Sequence, residues 1–291
     1  MQEERAMKNF VWSALLLGVL AVATPASADQ WEKTFKLTGK ADLRVDSNDG
    51  PIEVSSSSSP EIHVRVWTSG WRISADEVRI LRESQEGNRV EIEVRVPRSR
   101  WSWGFSSIHR EVRIEITVPQ DANMDLHTGD GHIRARGVNG EIRLDTGDGN
   151  VNADDLKGNL RIHTGDGYIE GSGLDGVLDA DTGDGHIRLR GRFDGLKVHT
   201  GDGSITADAT GGSNMTGEWS MRTGDGSVTV RLPDGFSAEL DAHTGDGTIS
   251  SQLPITVSGA LNKSSLRGNI NHGGATLMVR TGDGSIRIER I

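Results

Sequence analysis

Four letters, Thr-Gly-Asp-Gly, occur eight times in this chain, beginning at Thr128, Thr146, Thr164, Thr182, Thr200, Thr223, Thr244 and Thr281. The first five copies are spaced at 18 residues. An internal period of that length marks a repeat architecture, in which each unit buries its apolar face only against its neighbours.

Each unit carries more than its turn. Upstream stands apolar-x-apolar-x-Thr, as in Leu160, Ile162, Thr164, and downstream the alternation resumes, as in Ile187, Leu189 or Val228, Val230. Period-2 alternation is the pattern of a strand with one buried and one wet face. The turn glycines are expected to supply positive φ, and Asp to hydrogen-bond its own backbone. A second punctuation falls mid-repeat at Asn139-Gly140, Lys157-Gly158 and Asp175-Gly176 and is read as a further corner. Asp-Gly between alternating strands is also a hairpin signal, and pairing Leu144 with Val151 would keep both on one face. Near-identical register over successive units favours stacked parallel coils. The fold class expected is therefore all-β, a β-solenoid (parallel β-helix-like) of about 18-residue coils with a β-rich N-terminal cap.

Composition agrees with a thin core. Glycine supplies 38 of 291 residues, hydrophobic residues 34% and aromatic residues 4%. Residues 1–28 read as a signal peptide: Lys8 gives the positive start, Phe10 to Ala23 is apolar, and Ala26-Ser27-Ala28 is a small-x-small cleavage site. The apolar run is short for a membrane span and no second one follows. Export to the periplasm, cell surface or medium is the expected address. There is no cysteine, hence no disulfide, thiolate metal site or lipid-modified N-terminus. A formal net charge of -10 argues against nucleic acid as a partner.

Residues 29–120 are β-rich without the 18-residue beat, and residues 121–291 form the repeat region. Leu43-x-Val45-x-Ser47-Asn48-Asp49-Gly50-x-Ile52-x-Val54 reads as a degenerate first copy. Strands are expected at Glu61 to Trp67, Glu77 to Arg82, Arg89 to Val96 and Glu111 to Val118, covering the solenoid's open end. Between the last two lies an arginine and tryptophan loop whose Arg98, Arg100, Trp101 and Trp103 are candidates for binding a glycan or partner protein. The alternative is that these tryptophans fold back over the core. The gap of 37 between Thr244 and Thr281 suggests a coil lacking the motif around Leu266 to Ile270, with Pro254 to Lys263 as an outlying loop.

Stacking makes columns. At the usual strand spacing of about 4.8 Å, Asp130, Asp148, Asp166, Asp184, Asp202, Asp225, Asp246 and Asp283 would line one corner as a ladder of carboxylates. Their repulsion is offset either by a bound cation such as Ca²⁺, which takes hard oxygen ligands, or by hydration and hydrogen bonds from neighbouring glycine N–H groups. A second column precedes each threonine: His127, Asp145, His163, Asp181, His199, Arg222, His243, Arg280. Alternating imidazole and carboxylate would help set the register, and the same pairs offer a weakly specified transition-metal site. Acidic-polysaccharide cleavage by such a helix would need two carboxyls in unlike environments, and every ladder aspartate has the same one. The expectation is a non-enzyme.

The signal peptide, the start at Ser47-Asn48-Asp49-Gly50-x-Ile52-x-Val54 and the ending Gly273-Gly274-Ala275-x-Leu277-x-Val279-x-Thr281-Gly282-Asp283-Gly284-x-Ile286 together resemble the bacterial putative-adhesin family of β-strand-repeat cell-envelope proteins, formally a domain of unknown function. The resemblance spans about residues 35 to 290. It implies an envelope or surface location, adhesion to a surface protein or glycan, and no catalytic residues. The function expected is an exported interaction or scaffold module, with a divalent-cation-binding surface protein and a polysaccharide-processing β-helix as alternatives.

Overall fold

Alternation along each strand sends Ile142 and Leu144, then Val151 and Ala153, to one interior, and in the next unit Leu160, Ile162 and Ile169 follow; all are buried. In the computed structural model, which describes residues 28–97, 110–258 and 262–291, these strands stack as rungs of a two-sided solenoid. Asn139–Thr146 pairs in parallel with Lys157–Thr164 at an offset of 18, Leu144 beside Ile162 and Thr146 beside Thr164. Across the Thr-Gly-Asp-Gly corner, Val151–Asp154 pairs in parallel with Ile169 to Ser172. A sheet of longer strands and a sheet of shorter ones thus enclose the core. Parallel coils, not hairpins, form the repeat.

The corners work differently from the expectation of positive φ. In the central copies neither motif glycine takes positive φ. Instead the chain needs room, because a Cβ on Gly149 would collide with the carbonyl oxygen of Gly131, and one on Gly167 with that of Gly149. The second punctuation is also displaced. Asn139-Gly140 and Lys157-Gly158 open long strands, while the other corner sits two residues earlier, where Gly137 (φ 75°), Asp155 (φ 52°) and Gly173 (φ 64°) take the left-handed conformation. Asp at the middle copy fits, since it is among the non-glycine residues that tolerate this region.

Both ends depart from simple winding. The rung of Ala41–Ser47 lies between Ala122–Thr128 and Arg89–Arg95, so Ser47 stands beside Thr128. At the other end Thr276–Asp283 is inserted between Trp219–Asp225 and Ala238–Asp246. The expected motif-less coil between Thr244 and Thr281 is not a coil: Ser265–Ile270 runs antiparallel to Ala238–Asp246, and Ile255–Val257, expected as loop, runs antiparallel to it in turn. Antiparallel strands also close the N-terminal end, where Ala28–Lys36 pairs with Glu61–Ser69, and Arg79–Glu86 with Arg89–Arg95. Reversing direction here ends the parallel stack before it offers a full edge to another molecule.

Where the repeat spacing stretches to 23, the core thickens. Trp219 is fully buried between Phe193 (ring centroids 6.2 Å, edge-on) and Phe236 (5.2 Å). The extra residues from Thr210 to Glu218 form a loop over this aromatic cluster, tied by the Asn214 N–H to the Phe193 carbonyl. Arg192 braces the same loop's base through Asp194 and Asp175, and holds the Asp194 carboxyl below the usual range despite partial burial.

Candidate functional site: a charged trough on the long-strand sheet

Each motif threonine is buried and donates its hydroxyl across the stack: Thr146 to the Gly131 carbonyl at 2.7 Å, Thr164 to Gly149 at 2.7 Å, Thr182 to Gly167 at 2.8 Å. The glycine N–H of the same corner is given back to the hydroxyl, as from Gly167 to Thr164 at 3.2 Å. The motif is therefore a stacking device. Its aspartates, Asp130, Asp148, Asp166, Asp184, Asp202, Asp225, Asp246 and Asp283, all lie on the exposed outside of the corner. Among the described residues no three His, Asp or Glu side chains converge as a metal site would require. Arg98, Arg100, Trp101 and Trp103 lie outside the described residues.

The outward face of the long strands carries the chemistry instead. One column holds Asp46, His127, Asp145, His163, Asp181, His199, Arg222, Arg280 and His243 in that spatial order. The insertion of the last rung corrects the order expected from sequence, placing Arg280 between Arg222 and His243. Two positions earlier on the strands a second column runs Arg44, Asp125, Arg143, Arg161, Asp179, Lys197, Ser220. Sequence reasoning passed over this column because it lacks a repeated residue type; only its period-18 placement signals it.

The two columns line a trough of about 630 Å³ that runs from Arg143 to Arg222, continued by about 400 Å³ from Arg44 to Arg143. Carboxylates along it have basic side chains beside them: Asp145 has His127 (3.3 Å) and Arg143 (3.2 Å), Asp181 has His163 (3.0 Å), and Asp179 has Lys197 (3.4 Å). Beyond the trough, Arg280 forks onto Asp241 (2.6 Å to the nearer oxygen) and Arg267 adds a contact at 3.1 Å. Hydrogen bonds from Arg280 hold the Asp241 carboxyl below the usual carboxylate range, against the opposing effect of burial, and Arg267 adds to the shift.

Residues 41–289 match the model of the Toastrack DUF4097 family. This chain belongs to that family. Solved structures are similar to this chain at low identity: a putative lipid binding protein of Parabacteroides distasonis (15% identical, 92% of this chain and 99% of that one covered, TM-score 0.51) and a putative adhesin of Bacteroides fragilis (14%, 90% and 97%, TM-score 0.46). A putative cell adhesion protein of Clostridium sporogenes is similar over 91% of this chain and 100% of that one (15% identical, TM-score 0.31). No functionally curated protein matches this Toastrack chain. Among its described residues no helix is long and apolar enough to cross a membrane.

Proposed function

We propose that this Toastrack protein is an exported, non-enzymatic interaction module of the bacterial cell envelope, binding a surface glycan or protein through the outward face of its long-strand sheet. The observation that carries this reading is the trough itself: long charged side chains held on seven rigid, in-register rungs, open along their length. Such a surface suits an extended partner better than a small substrate, which is usually enclosed. Catalysis by paired carboxyls needs unlike environments, and the corner aspartates share one. Adhesin names among the fold relatives agree with the proposed role.

The test has two parts. The full chain is expressed with its leader and fractionated; the expected product is exported, with a mass that starts at Asp29, and a full-length cytoplasmic product overturns export. The mature chain is then sedimented with isolated bacterial envelopes. Co-sedimentation is expected, and its absence overturns the interaction role.

A further inference from the structure

We infer that the strand Ala28–Lys36 pairs antiparallel with the same strand of a second copy, making a two-fold dimer. This goes beyond the envelope reading and does not depend on it. The antiparallel strands that end the parallel stack have edges of their own. Among the described residues four strands lack a partner on one side: Ala28–Lys36, Arg79–Glu86, Ile249–Ser251 and Ile255–Val257. The last two are three residues long, and Arg79–Glu86 is interrupted by a bulge at Leu81, a feature that blunts edge pairing. Ala28–Lys36 has no such protection. It is nine residues long, free of proline and glycine, and in unbroken register with Glu61–Ser69. It also stands proud of the opposing sheet. Past the rung of Ala41–Ser47 and Ile52–Ser57 the short-strand sheet adds Glu111–Pro119, Glu61–Ser69 and Ala28–Lys36, whereas the long-strand sheet adds only Arg89–Arg95 and Arg79–Glu86.

Backbone geometry fixes which groups are on offer. The Leu37 N–H bonds the Pro60 carbonyl at 3.2 Å, in the same register. Alternation then turns the backbone groups of Trp31, Lys33 and Phe35 to Glu61–Ser69, and those of Glu32, Thr34 and Lys36 to the open side. The Lys36 carbonyl accepts from Gln85 Nε2 at 2.7 Å and keeps a second lone pair. Side chains then select the register. A two-fold at Thr34 sets Glu32 opposite Lys36 of the second copy, twice over, and Trp31 opposite its Leu37; both apolar residues are partly buried against the core. Glu32 and Lys36 are exposed. Glu32 accepts from Arg65 (2.5 Å) and Gln30 through Oε1 alone, so among the described residues its Oε2 is unpartnered, and Lys36 has no carboxylate within bridging distance. Two-folds at Glu32, Lys33 or Lys36 would oppose like charges, which destabilises a pair. One at Phe35 leaves Glu32 and Lys36 opposite threonines. One at Trp31 matches Asp29 with Lys33, but Lys33 is already bridged to Glu83 at 3.0 Å and Asp29 accepts from the Ile73 N–H at 2.9 Å. Because the axis at Thr34 passes through the joined sheet, both long-strand faces lie on one side of the dimer and two troughs are presented together.

The experiment is sedimentation velocity of the mature chain over a rising concentration series. A seam this narrow buries less than a permanent interface does, so a reversible monomer–dimer equilibrium in the micromolar range is expected. Thr34→Pro removes the N–H at the axis, which an edge strand tolerates, and should give a monomer throughout. Lys36→Glu and Glu32→Lys each set like charges opposite one another and should weaken the dimer by about tenfold or more. An equimolar mixture of those two variants should dimerise as the wild type does, since the mixed pair has opposite charges at both contacts. Unaltered melting shows that the variants fold, and the charge pair decides if the proline variant does not. A wild-type chain that stays monomeric, a dimer that survives Thr34→Pro, or charge variants that fail to complement each other overturns the inference. A monomeric wild type whose sedimentation with envelopes is lost on Thr34→Pro also overturns it, and gives this edge to another protein.

Discussion

The hydroxyl of Thr164 donates to the carbonyl oxygen of Gly149, one rung away, at 2.7 Å, and both atoms are shut off from water. A buried hydroxyl or carbonyl left without a partner costs about 1–3 kcal/mol. Thr164→Val keeps the shape and strands the Gly149 carbonyl, so it should lower unfolding free energy by about 1–2 kcal/mol. Thr164→Ser keeps the donor and should cost less. Urea denaturation of the three proteins checks the order; a valine variant as stable as wild type would remove the hydroxyl ladder as a stabilising feature.

Gly167 faces the same carbonyl from the corner. An added methyl there meets backbone rather than a movable side chain, so Gly167→Ala should cost about 2–3 kcal/mol, as overpacking does. Gly211 has open space around its would-be Cβ, and Gly211→Ala should leave the melting temperature almost unmoved. Thermal melts of the pair separate close approach from general glycine permissiveness.

The Asp241 carboxyl sits below its ordinary range because Arg280 and Arg267 hydrogen-bond it. A folded-state pKa below the unfolded one means the contribution is fully present above the unfolded value, about 3.9, and is lost as pH falls through the folded one. Asp241→Asn should therefore be less stable than wild type at neutral pH. The gap should close as pH falls below about 4. A gap that stays constant from neutral to acid would mean that packing, not charge, accounts for it.

Exposed corner aspartates with no converging third ligand lead to a simple expectation for cations. The melting temperature of the mature chain should be the same in EDTA and in added calcium. A rise of many degrees with Ca²⁺ would make the corner ladder a metal site after all. Asp166→Asn tests the same point from the protein side, with little change in stability expected for an exposed turn residue.

Some of this was legible from the letters. The 18-residue beat, with apolar residues at every second position around it, favours a parallel stack, in which near-identical units lie in register, over the hairpins that the same alternation and Asp-Gly turns allow. Ser47-Asn48-Asp49-Gly50 could likewise be read as a worn copy of the motif, and Ser47 does stand beside Thr128. The role of the glycines was not legible: a turn needing positive φ and a corner needing room for the next carbonyl both ask for the residue without a side chain.

Sequence alone therefore determined the period and which side chains alternate inward. Tertiary structure alone decided which coil lies on which. Identical motifs can stack on one another in any order, so nothing local says that the rung of Thr281 slips between those of Thr223 and Thr244, or that Arg222 consequently faces Arg280. Those choices depend on long-range closure: the antiparallel strand Ser265–Ile270 packs on Ala238–Asp246 and turns the chain back toward the stack. The trough, as a property of neighbouring rungs rather than of any one repeat, exists only once that order is set.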